Sequence, residues 1–172
     1  DGWLDLLVTH YSGQKNTLYH NSGPPTFTLT PVAASIVANE FGNWVGSGWG
    51  DYDNDGALDL LVANDGAASA LYHNDGPPGY GFTKNIAAPV GTDVSNAFGA
   101  MWGDYDRDGQ LDLFVADHLG AKNRLYHNSG TTNHWLTVRC QGTASNRSAI
   151  GAKVRRWKVG DYLPTFLGRH GH

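Results

Sequence analysis

Two short signatures recur along this chain with one period, and that repetition limits the fold more than any other feature. Asp-Gly-x-Leu-Asp begins at Asp1, Asp55 and Asp108, at spacings of 54 and 53 residues. Leu-Tyr-His-Asn occupies residues 18–21, 71–74 and 125–128, at spacings of 53 and 54. Independent markers that keep one period define a structural repeat, and repeat units bury their apolar surface against one another. A turn follows each Leu-Tyr-His-Asn: Ser22-Gly23-Pro24-Pro25, Asp75-Gly76-Pro77-Pro78, and Ser129-Gly130.

Within one period the apolar runs have strand length. In the middle unit they fall at 58–62, 70–73, 81–86 and 97–102, separated by Gly-, Asn- and Asp-rich turns. The run Leu60-Leu61-Val62 has no polar break, as expected of a strand covered on both faces. The x of Asp-Gly-x-Leu-Asp is Trp3, Ala57 or Gln110, a mixture that predicts an exposed, variable edge. Four short strands in roughly fifty residues describe a propeller-type blade. The expected class is all-β: consecutive four-stranded antiparallel blades forming an incomplete β-propeller or an open blade array, with a short C-terminal β extension. Three units cannot close a ring that needs about four to eight blades. Missing blades of a longer chain, or other copies of this one, are therefore expected partners, with an open array as the third arrangement. The first unit starts in the second half of its acidic loop, as a piece of a longer sequence would.

The acidic residues are chemically narrow: of 16, all but Glu40 are Asp. Ten of them lie in the recurring segment, at Asp1, Asp5, Asp51, Asp53, Asp55, Asp59, Asp104, Asp106, Asp108 and Asp112. The two complete loops read Asp-x-Asp-x-Asp-Gly-x-x-Asp, with carboxylates at positions 1, 3, 5 and 9. Gly56 and Gly109 at position 6 let the chain curl so that alternate side chains converge. The backbone carbonyls of Ala57 and Gln110 at position 7 are further candidate ligands. An all-oxygen, multi-carboxylate set is hard-cation chemistry, and its flexibility suits Ca2+ better than Mg2+. Two complete Ca2+ sites are therefore expected: Asp51, Asp53, Asp55, Ala57 and Asp59, and Asp104, Asp106, Asp108, Gln110 and Asp112. Asp1, Trp3 and Asp5 match positions 5, 7 and 9 only, so a third site would need ligands from outside the sequence. Bare Asp/Gly turns are the competing reading. Position 12 is Val62 or Val115 where an EF-hand has Glu, so no EF-hand helix pair is expected.

Other candidates carry less. His20, His73 and His127 recur once per unit, which points to architecture first and to metal or acid–base work second. Trp49 and Trp102 precede the loops as wedges between blades, with sugar-stacking platforms as the alternative. Glu40 and Asp93 have no identifiable carboxylate partner, and neither Gly-x-Ser-x-Gly nor a phosphate-cradling glycine loop is present. No enzyme is expected in these residues. The formal charge is −4, which two divalent ions would bring to zero, so nucleic acid is not an expected partner. Cys140 is the sole cysteine and forms no internal disulfide. No apolar run is long enough for a membrane helix, and no secretory leader is seen. Asn146-Arg147-Ser148 has the form of an N-glycosylation acceptor. Beyond the repeats, 134–140 and 150–157 read as strands flanking a polar loop, and 158–172 is left unassigned.

The stretches Trp49-Gly-Asp-Tyr-Asp-Asn-Asp-Gly-Ala-Leu-Asp-Leu60 and Trp102-Gly-Asp-Tyr-Asp-Arg-Asp-Gly-Gln-Leu-Asp-Leu113 resemble FG-GAP/VCBS repeats, as found in integrin-like β-propellers and many secreted bacterial proteins. The resemblance covers residues 1–130. Residues 133–154 look like the start of the ASPIC/UnbV domain that often follows such repeats, giving a second segment at 131–172. The resemblance implies a calcium-stabilised propeller, often seven-bladed, in an extracellular or cell-surface protein used for adhesion, assembly or ligand binding. Two functions follow as expectations: a calcium-dependent structural, adhesion or assembly module that meets surface proteins, and a carbohydrate-binding propeller that meets glycans. A non-catalytic part of a larger secreted enzyme ranks third.

Overall fold

The computed structural model describes residues 3–77, 79, 81–133 and 141. The chain divides into units Asp1–Leu136 and Thr137–His172, and the architecture below is that of the first. The strands expected at 134–140 and 150–157, and nearly all of the ASPIC/UnbV-like segment, lie outside the described residues.

The described fold is all-β, with antiparallel pairing throughout and two single-turn 3-10 helices, Ile36–Ala38 and Pro89–Gly91. The first unit supplies β1 (Leu6–Val8), β2 (Gln14–Lys15), β3 (Thr17–Asn21) and β4 (Leu29–Pro31), of which β1, β3 and β4 pair in that order. β5 (Phe41–Gly42) pairs with β2. The middle unit follows as β6 (Trp44–Gly50), β7 (Asp59–Ala68), β8 (Ala70–Asn74) and β9 (Phe82–Lys84), each antiparallel to the next. The third comprises β10 (Val94–Gly103), β11 (Asp112–Asp117) and β12 (Arg124–Tyr126), again paired in sequence; residues 97–102, expected as the fourth strand of the middle unit, thus pair with β11 of the third, and the middle unit has β6 in their place. Register is the same in all three: Leu6 opposes Tyr19, Leu60 opposes Tyr72, and Leu113 opposes Tyr126.

β10 belongs to two ladders. Its first residues pair with the end of β7, Val94 opposite Ala68 and Asn96 opposite Asp65. After an irregularity at Ala97/Gly99, the rest of the strand pairs with β11. A polar chain adds to this join. Tyr11 Oη donates to Asp65 Oδ2 at 2.7 Å, and His118 Nε2 lies 2.8 Å from Asp65 Oδ1. These three residues each stand six positions beyond Asp5, Asp59 and Asp112, so one sequence position from every unit meets its counterparts.

β7 is covered on both faces, as its unbroken apolar run requires. Leu60 and Val62 pack with Val37, Trp44 and Tyr72, and Leu7 and Ile36 of the first unit border that cluster. Leu61 and Ala63 turn the other way, onto Val90, Ala97, Leu113 and Val115. Each fully buried Leu or Val contributes roughly 1.5–3 kcal/mol.

β6 is the strand least visible in the sequence, because glycine alternates along Trp44-Val45-Gly46-Ser47-Gly48-Trp49-Gly50 and lowers its β-propensity. The glycines are there because the next sheet lies on them. A β-carbon on Gly46 would sit 2.8 Å from Gly99 Cα, and one on Gly50 would sit 2.7 Å from the Trp102 indole. Trp102 Nε1 donates to the Gly48 carbonyl at 3.1 Å, and its ring stacks on Tyr52 at 6.1 Å and 10°. Trp102 thus occupies the wedge position expected of it. Trp49 tilts against Phe82 at 6.1 Å and stays 37% exposed.

Candidate metal centre

Each acidic loop joins the first two strands of its unit, β6 to β7 and β10 to β11. The curl uses two left-handed residues per loop: Asn54 (φ 59°) and Gly56 (φ 93°), then Arg107 (φ 67°) and Gly109 (φ 88°). Sequence reading found the glycines. It missed position 4, because arginine carries no signal for that conformation.

Backbone N–H groups hold the carboxylates inside the curl. Asp51 accepts from Asp55 N–H (3.0 Å) and Gly56 N–H (3.0 Å), Asp53 from Asp55 N–H (3.2 Å), and Asp55 from Ala57 N–H (2.7 Å). The second loop repeats this: Asp108 and Gly109 N–H donate to Asp104 at 3.1 Å, Asp108 N–H to Asp106 at 3.2 Å, and Gln110 N–H to Asp108 at 2.8 Å. The ninth residue is buried and ties loop, sheet and turn together. Asp59 accepts from Tyr52 N–H (3.0 Å) and Asn74 N–H (2.8 Å); Asp112 accepts from Tyr105 N–H (3.1 Å) and Asn128 N–H (2.9 Å).

Carboxylate oxygens of Asp51, Asp53 and Asp59 come within 4.8 Å of one another, as do those of Asp104, Asp106 and Asp112. Calcium–oxygen contacts of about 2.4 Å put ligands on opposite sides of one ion about 4.8 Å apart, so these donor sets fit one hard cation each. A second pair of triads adds histidine: Asp53, Asp55 and His73, and Asp106, Asp108 and His127. The candidate ligands therefore fall into overlapping triads that share Asp53, or Asp106. What the structure shows of Ala57 and Gln110 is their N–H groups bonded within the loop.

The histidines are the residues that sequence reading assigned to architecture first and to metal or acid–base work second. His73 Nδ1 is buried, 3.2 Å from Asp59 Oδ1 and 3.4 Å from Asp53 Oδ2, yet hydrogen-bonded to neither. His127 Nδ1 lies 3.2 Å from Asp112 Oδ1 and 3.6 Å from Asp106 Oδ2. The register supplies what the sequence lacks: Leu60 opposite Tyr72 places Asp59 beside His73 one step along the ladder.

In the first unit, Asp5 repeats the ninth-position role. It accepts from Asn21 N–H at 2.8 Å, with His20 Nδ1 3.3 Å away. Asp1 lies outside the described residues. Trp3 stacks edge-on against Phe27 at 5.7 Å and covers Gly23, where a β-carbon would meet its indole. Gln110 covers Gly130 in the same way and is only 8% exposed. The expectation of an exposed, variable edge at x holds in part: Trp3 is 44% exposed and Ala57 leaves Gly76 uncovered, whereas Gln110 is buried over Gly130.

The two loops are stitched together. Asn54 Nδ2 donates to Gln110 Oε1 at 2.7 Å and to the Gly109 carbonyl at 3.2 Å. Asn128 Nδ2 donates to the Tyr52 carbonyl at 2.7 Å, and Thr131 Oγ1 and Asn133 Nδ2 donate to the Asp53 carbonyl at 2.8 and 2.9 Å. This asymmetry reaches the electrostatics. Burial pushes the Asp59 carboxyl up to about 6, against the N–H groups of Asn74 and Tyr52. It also raises Asp51, opposed by Gly56 and Asp55 N–H. At Asp112, burial raises the carboxyl, but the N–H groups of Asn128 and Tyr105 together with His127 outweigh it and the net shift is downward. The first loop is the one covered by a following unit.

With this geometry in view, the comparisons with known proteins are specific. The FG-GAP-like repeat family matches residues 1–62 and 51–115. The chain belongs to that family. It is also 25% identical over 126 residues to cartilage acidic protein 1 of Mus musculus, a match that takes in 71% of this chain and 19% of the relative. The chain therefore spans about a fifth of that protein's length. Among the described residues, no helix is long and apolar enough to cross a membrane.

Proposed function

We propose that the chain is a calcium-stabilised, non-catalytic structural module of an extracellular or cell-surface protein, serving adhesion or assembly. In this reading its units are propeller-type blades. Asp51, Asp53, Asp55 and Asp59, with the Ala57 carbonyl, hold one Ca2+, and Asp104, Asp106, Asp108 and Asp112, with the Gln110 carbonyl, hold another. The bound ion supplies positive charge where carboxylates otherwise repel, and so fixes each loop to its sheet. The observation that carries the proposal is the pair of carboxylate triads, each within 4.8 Å and built identically in two loops. Extracellular modules bind calcium at roughly 10⁻⁴ to 10⁻³ M, which calls for millimolar calcium outside the cell.

Calorimetric titration with CaCl2 and MgCl2, together with thermal melts in calcium and in chelator, tests the proposal. Two calcium equivalents and a higher melting temperature in calcium are expected. An unchanged melt and no binding heat would rule the reading out. Of the two tryptophans that could serve the carbohydrate alternative, Trp102 has its indole between the β6 glycines and the Tyr52 ring, while Trp49 stays 37% exposed, so a glycan screen remains the test that separates the two readings.

A further inference from the structure

The calcium reading leaves the histidine of the middle Leu-Tyr-His-Asn without a task, although it points at the first acidic loop. His73 stands on β8, a strand outside that loop, and its ring is held edge-on against Tyr52 at 6.4 Å and 78°. Its Nδ1 is shut off from solvent and has no hydrogen-bond partner, yet it lies 3.2 Å from Asp59 Oδ1 and 3.4 Å from Asp53 Oδ2. Leaving a buried polar atom unsatisfied is costly, so its placement calls for a reason.

Those separations have the scale of a metal shell. Donors held about 2.0–2.1 Å from a tetrahedral zinc ion lie about 3.3–3.4 Å from one another. A nitrogen of His73 and carboxylate oxygens of Asp53 and Asp55 all fall within 4.8 Å of one another, a set distinct from the all-carboxylate triad of Asp51, Asp53 and Asp59. The donor chemistry differs as well: two carboxylates and an imidazole suit a borderline transition-metal dication, whereas calcium takes oxygen ligands. For Nδ1 to ligate, the ring proton must sit on Nε2. A groove of about 400 Å³, whose walls include Asp53, His73 and Lys84, gives an ion its way in. In the second loop the matching nitrogen is already engaged: His127 Nδ1 is hydrogen-bonded to Asp112 at 3.2 Å and lies 3.6 Å from Asp106.

We propose that Asp53, Asp55 and His73 form a transition-metal site, with zinc as its type ion, which shares Asp53 with the calcium set and cannot be filled together with it. The first loop is thereby a metal-exchange site: calcium engages loop oxygens alone, and zinc adds β8 through His73. The inference rests on the calcium reading only for the competition between the two ions; zinc binding stands on the triad itself.

Calorimetric titration of the full chain with ZnCl2, with and without millimolar CaCl2, tests this in the wild type and in His73→Asn and His73→Gln. One zinc equivalent is expected to bind at least about tenfold tighter than calcium, to weaken as calcium is added, and to lose at least about tenfold in affinity in both variants. Nitrogen NMR of the histidine rings should show His73 Nδ1, and not Nε2, shifting as zinc is added. Both variants should still take up calcium and melt in chelator as the wild type does, which establishes that they are folded. Zinc bound equally well by wild type and variants belongs to other histidines and would overturn the proposal, as would a shift at Nε2 or zinc and calcium filling the first loop together. A chain that takes calcium but no zinc also overturns it and leaves the calcium reading intact. Zinc binding that depends on His73 in a chain that takes no calcium would sink the calcium reading and leave the zinc site standing.

Discussion

Asp53 and Asp106 are the residues on which each loop turns, because both triads of a loop share them. Asp53→Asn keeps an oxygen for Asp55 N–H but removes a charge. Calcium affinity at that loop should fall at least about tenfold, equivalent to about 1.4 kcal/mol. The melt in chelator should be unchanged or higher, since one like charge is gone; titration calorimetry and paired melts read both. Asp59 makes a second prediction through pH. Its carboxyl is raised by burial from an ordinary 3.8 to about 6, so protonation favours the fold. That stabilisation is complete below about pH 4 and is lost as pH rises through about 6. In chelator, melts between those values should therefore decline with pH, and Asp59→Asn should flatten the decline. Asp112 is shifted the other way, so its contribution is present above its ordinary range and lost on acidification. Calcium reverses the Asp59 trend, because the ion needs the ionised carboxylate.

At the level of loops and strands, the bridges from Asn54 to Gln110, and from Asn128 and Thr131 to the first loop, make each loop part of the other's support. Filling one should tighten the other. Asn54→Ala combined with Thr131→Val should reduce that coupling from at least about fivefold toward none while leaving both sites able to bind. Stepwise constants from calcium titrations measure it. The glycine-rich strand gives a stability prediction. Gly46→Ala forces a β-carbon into the Gly99 backbone and should cost about 1–3 kcal/mol, whereas Gly99→Ala meets open space and should cost far less. Much of this level was legible: the acidic positions, the position-6 glycines and the strands around Leu60 and Tyr72 all follow from the repeat. His73 and His127 were not, because their role depends on cross-strand register, which period alone does not state. β6 and the single-turn helices were missed because their sequences are poor formers of regular structure, and packing against the next unit decides them.

For the molecule as a whole, the repeat made the all-β class and most strand positions legible, since each unit uses the same signatures at the same places. It could not show how units join. The Tyr11–Asp65–His118 chain links residues that share nothing in type, only their distance from Asp5, Asp59 and Asp112. The double membership of β10 has a mechanical consequence. A pulling force applied between the middle and third units is borne along one continuous strand, with no hinge for it to open first. Force spectroscopy across these two units should record a single rupture where beads on a string would give two.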